Sequence, residues 1–87
     1  MKNNKKEFNA LVDRYINVLN AGEKLLHLAF VAGNRENIIN ISLKLARCYQ
    51  DLQKREKVWS MCHNVRGAIS GDIHLEKYRS RLEAFEV

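Results

Sequence analysis

Eighty-seven residues fit one small domain, and a chain of this length buries only about 60–65% of its unfolded surface, so its core is thin and easily supplemented by a partner. A composition of 46% hydrophobic and 29% charged residues excludes the disordered regime. A formal charge of +5 attracts acidic surfaces without specifying a nucleic acid. Proline is absent and Leu, Lys, Glu, Arg and Ala are abundant, so the predicted class is all-α, with four to five antiparallel helices in a single domain over 1–87. The basic start over 1–5 reads as a flexible arm.

From Lys6 to Leu19 the apolar residues Phe8, Leu11, Val12, Tyr15, Val18 and Leu19 recur at three-and-four spacing, which predicts an amphipathic first helix. Asn20-Ala21-Gly22 predicts a turn, because glycine favours the left-handed position that follows a helix end. Glu23 to Ala32 then reads as a short second helix, apolar around its circumference and therefore central, closed by Gly33-Asn34. A third helix over Asn37–Leu52 carries Ile38, Ile41, Leu45, Cys48, Tyr49 and Leu52 on one stripe. A fourth carries Val58, Cys62, Val65 and Ile69 up to Ser70-Gly71-Asp72, and Ile73–Phe85 is predicted as a last helix packed by one side, with Asp72 as its cap.

Gln53-Lys54-Arg55-Glu56-Lys57 contains no helix breaker, so local propensity favours unbroken helix there. An internal repeat argues otherwise. Tyr15 and Tyr49 lie thirty-four positions apart, each four residues after a leucine, Leu11 and Leu45. Glu23-Lys24-Leu25-Leu26 recurs as Glu56-Lys57-Val58-Trp59 at thirty-three, so Asn20-Ala21-Gly22 aligns with Gln53-Lys54-Arg55 and predicts a turn in the second copy as well.

The stretch LARCY, with Val58 nine residues after its tyrosine, resembles the tetratricopeptide repeat over about Leu11 to Ile69. Leu45, Ala46 and Tyr49 match the first helix of that repeat, and Leu11, Val12 and Tyr15 match it more loosely. Ser42 stands where the family favours Trp, Val58 and Val65 where it favours Ala, Cys62 where it favours an aromatic, and no proline ends either unit. The resemblance implies helical hairpins that bind another polypeptide in a groove, with Ile73–Phe85 as the capping helix. Small chaperones of bacterial secretion systems share that size and plan. A small helical bundle is the other architecture the pattern admits.

The cysteines and histidines show no paired spacing typical of zinc ligands, and no phosphate-binding loop or nucleophile elbow is present, so neither cofactor, metal nor enzyme is expected. Cys48 and Cys62 read as free thiols in a reducing cytoplasm. The longest apolar run, Leu25–Ala32, falls far short of the ~20 residues that span a bilayer. Phe30, Val31, Trp59 and Met61 exceed what a thin core can bury and are the candidate surface for a partner protein or a second copy. The expected function is a noncatalytic protein-binding module, such as a chaperone, adaptor or inhibitor. The alternative is a basic nucleic-acid-binding regulator contacting phosphates through Lys44, Arg47, Lys54, Arg55, Lys57 and Arg66.

Overall fold

A computed structural model describes the backbone of residues 2–85 and the side chains of residue 10 and residues 14–85. Among these residues the chain is all-α: α1 (Lys2–Ala32), α2 (Arg35–Asp51), α3 (Arg55–Ser70), a 3-10 turn (Ile73–Tyr78) and α4 (Arg79–Glu83). The expected basic arm lies outside the described side chains, and the backbone from Lys2 onward is already helical.

The turn predicted at Asn20-Ala21-Gly22 is absent, and α1 continues through it for 31 residues. Glycine inside a helix costs only about 1 kcal/mol relative to alanine, which tertiary packing readily offsets. Here the packing is specific: a Cβ on Gly22 would lie 2.6 Å from Cδ2 of Leu45, so the missing side chain lets α1 approach α2. The helix ends instead at Gly33, where φ is 68°. The N–H of Gly33 donates to the Phe30 carbonyl at 3.1 Å and that of Asn34 to the Ala29 carbonyl at 3.0 Å, the paired bonds of a Schellman close. Asn34 then caps α2, its side chain accepting from the Asn37 N–H at 3.1 Å.

The central element is α2, not the predicted segment after Glu23. It contacts α1 on one side and α3 on the other and buries Ile38, Ile39, Ser42, Leu43, Leu45, Ala46 and Tyr49. The second half of α1 buries Leu26 and Ala29 while Leu25 and Leu28 stay exposed. The overall extents are 49 × 28 × 17 Å, so the molecule is elongated and flattened. The long dimension follows α1, about 46 Å at 1.5 Å per residue. α2 reaches back along it as far as Tyr15, whose hydroxyl donates to Asp51 at 3.0 Å.

The turn between α2 and α3 stands where the repeat alignment placed it. Gln53 adopts φ 58°, and the N–H groups of Gln53 and Lys54 donate to the carbonyls of Gln50 at 3.0 Å and Tyr49 at 2.9 Å. This is again a Schellman close, with a glutamine in the position glycine usually takes. α3 buries Met61, Cys62, Val65, Ala68 and Ile69 against α2. The predicted last helix is a 3-10 turn followed by five α-helical residues. Asp72 caps it by accepting from the His74 N–H at 2.9 Å, Leu75 and Leu82 enter the core, and Tyr78 donates to Glu36 at 2.6 Å, tying the C-terminal segment to the start of α2.

Candidate functional site

The tight turn at Gln53 brings the end of α2, the first turns of α3 and Phe85 together around a groove of about 690 Å³. Val58, Cys62 and Phe85 form its apolar part, and Lys54, Arg55 and Arg66 bring cationic side chains to its lining. Trp59 also lines it and keeps 62% of its surface exposed. The helix N-terminus at Lys54 has no side-chain cap, which leaves the first N–H groups of α3 to solvent beside these cations.

Trp59 is stacked on His63 one helical turn later, ring centroids 5.3 Å apart and planes 10° from parallel. His63 in turn lines a second hollow of about 300 Å³ with Phe30, Arg35 and Ile38. Gly67 also lines that hollow, and nothing lies within 4 Å of a Cβ placed there. An aromatic strip therefore runs from Trp59 through His63 toward Phe30.

Three of the four residues expected on a partner surface are exposed: Phe30 and Val31 at 48% and 72%, and Trp59 as above. Met61 corrects the expectation. At 5% exposure it belongs to the core, because two residues past Trp59 on α3 turns its side chain toward α2. The six cations expected as one stripe divide. Lys54, Arg55 and Arg66 meet at the groove, while Arg47 lies 3.8 Å from Asp51 on the surface and Lys57 sits 6.0 Å from the centre of the Tyr49 ring. Lys44 is exposed on α2 outside the groove's lining.

One interaction escapes any pattern in the sequence. Tyr49 donates to Glu23 at 2.6 Å across the α1–α2 contact, which makes Glu23, in the middle of α1, a partner of α2. Burial, and then this bond to a carboxylate, push the Tyr49 phenol well above its usual range. The Cys48 thiol is raised by burial first and by the Asp51 carboxylate second. Phe85 and His63 complete the surface around Trp59; only His63 left a signal, its i,i+4 spacing from Trp59.

Among the described residues no three of His, Cys, Asp and Glu converge as metal ligands, and no helix is long and apolar enough to cross a membrane. No protein-family model, curated protein or solved structure matches the chain.

Proposed function

We propose that this chain is a noncatalytic protein–protein interaction module of the cytoplasm, a small chaperone, adaptor or inhibitor, that holds a partner polypeptide along the strip from Trp59 to Phe30. The observation that carries the reading is the indole of Trp59, largely exposed beside an apolar-floored groove. A large aromatic held in solvent at such a place contributes nothing to the core, and truncating a tryptophan of this kind in an interface costs about 2–4 kcal/mol of binding. The cations beside it favour an acidic partner and speed its encounter more than they tighten the complex. The resemblance to the tetratricopeptide repeat lends support only through one hairpin, α2–α3, whose first helix carries Leu45, Ala46 and Tyr49, since α1 is unbroken where the preceding unit would turn.

The test is retention of a discrete polypeptide from cells of the source organism by immobilised wild-type chain, in the presence of nuclease, and its loss with Trp59→Ala. A chain that retains no polypeptide, or retains it equally with Trp59→Ala, refutes the reading.

A second reading, a basic nucleic-acid-binding regulator, is favoured by one observation: Lys54, Arg55 and Arg66 meet beside an exposed indole, the combination of charge and stacking surface that single strands use. It requires that the purified chain carry nucleic acid that high salt removes.

A further inference from the structure

A face of α1 flanking its contact with α2 is more apolar than a solvent face requires. Val18, Leu25 and Leu28 are 53%, 55% and 60% exposed, and Ala21 and Ala32 are exposed beside them. Together with Arg14 they fall at alternating intervals of four and three residues, 14, 18, 21, 25, 28 and 32, the a and d positions of a heptad. The core residues of α1, Leu26 and Ala29, border this seam on one side, Ala29 one turn after Leu25, while Val18, Leu25 and Leu28 stay exposed beyond the contact with α2.

We infer that the seam joins two copies of this chain, α1 against α1 and antiparallel. The seam is complementary to itself in that orientation alone. With Leu25 of one copy facing Ala21 of the other, Leu28 faces Val18 and Arg14 faces Ala32, so each large side chain meets a small or β-branched one. Arg14 also reaches the C-terminal end of the opposing helix, where the carbonyl dipoles favour a cation. A parallel pair would set Arg14 against Arg14 inside the seam. Among the described residues of α1, Lys24 approaches its own copy in the antiparallel pair, on the flank, where the long stem carries the ammonium out to water. From Arg14 to Ala32 the seam runs about 27 Å, short for two isolated helices but sufficient here, because α2 already holds this part of α1 in helical form.

Sedimentation equilibrium of the full chain is expected to give twice the 10.1 kDa of a single chain. The double substitution Leu25→Lys, Leu28→Lys is expected to return it to one chain with unchanged helical circular dichroism, since both side chains are largely outside the core. Trp59→Ala is expected to leave the dimer intact, so loss of the dimer and loss of a partner polypeptide are separate outcomes. Oxidation of an equimolar mixture of Ala21→Cys and Leu25→Cys chains is expected to link the two variants to each other, with the joined peptides identified by mass spectrometry. A single chain at every concentration, a dimer that survives the double substitution, a dimer lost in Trp59→Ala, or a disulfide joining Leu25→Cys to itself overturns the inference.

Discussion

Gly22 and Leu45 set the separation of α1 and α2: the space a Cβ on Gly22 would occupy is taken by the Leu45 side chain, whose Cδ2 stands 2.6 Å from that point. Leu45 is 3% exposed and enclosed by the core cluster, so it has no room to withdraw. The contact explains how a residue that weakens a helix locally is retained in the middle of a 31-residue one.

Gly22→Ala is therefore expected to destabilise the protein by about 1 kcal/mol, the overpacking penalty exceeding the gain in helix propensity. Gly67→Ala makes the same chemical change in α3 with nothing within 4 Å of the new methyl, and should stabilise by about 0.5–1 kcal/mol. Urea unfolding of the two variants measures the difference directly. If both variants gain stability, Gly22 is not a close-approach residue.

Tyr49→Phe removes the hydroxyl that donates to Glu23 at 2.6 Å while keeping the ring in the core, and should cost about 1–2 kcal/mol at neutral pH. The sign of the pH dependence follows from the raised phenol. In the folded chain Tyr49 holds its proton above the ordinary 10.0 at which the unfolded chain releases it, so its contribution is complete below that value and lost as pH rises beyond it. Thermal melts taken on either side of that value should show a smaller alkaline loss for Tyr49→Phe than for the wild type. Equal losses would remove Tyr49 from the alkaline transition.

Ser42 is fully buried in α2, and its hydroxyl has no hydrogen-bond partner among the described residues. Ser42→Ala deletes that uncompensated group and leaves only a small void, so a gain of about 1 kcal/mol is expected in the same unfolding experiment. A loss of similar size would mean that the hydroxyl is satisfied in solution.

The all-α class and the start of α2 were legible because the apolar period of that helix is long and Gly33-Asn34 marks its beginning. The break at Gln53 was legible only through the repeat, and by a route that fails physically: the aligned glycine, Gly22, serves packing and makes no turn, whereas Gln53 turns the chain in a left-handed conformation without being glycine. The same ambiguity misplaced the centre of the fold. Leu25, Leu28 and Val31 give their segment an all-round apolar character that reads as burial, yet they are exposed on α1. Met61 and Trp59 show the limit for surface residues: hydrophobicity marked both as a candidate surface, and only the direction each takes from α3 separates core from groove.

The most direct test of the proposed function is the affinity of the chain for the polypeptide it retains, measured by calorimetry for the wild type and for Trp59→Ala. The exposed indole contributes little to folding, so the variant should unfold within about 0.5 kcal/mol of the wild type while binding about 2–4 kcal/mol more weakly, at least a twentyfold rise in Kd. Equal affinity for the two chains, in a variant of equal stability, would contradict the assignment of this surface to partner binding.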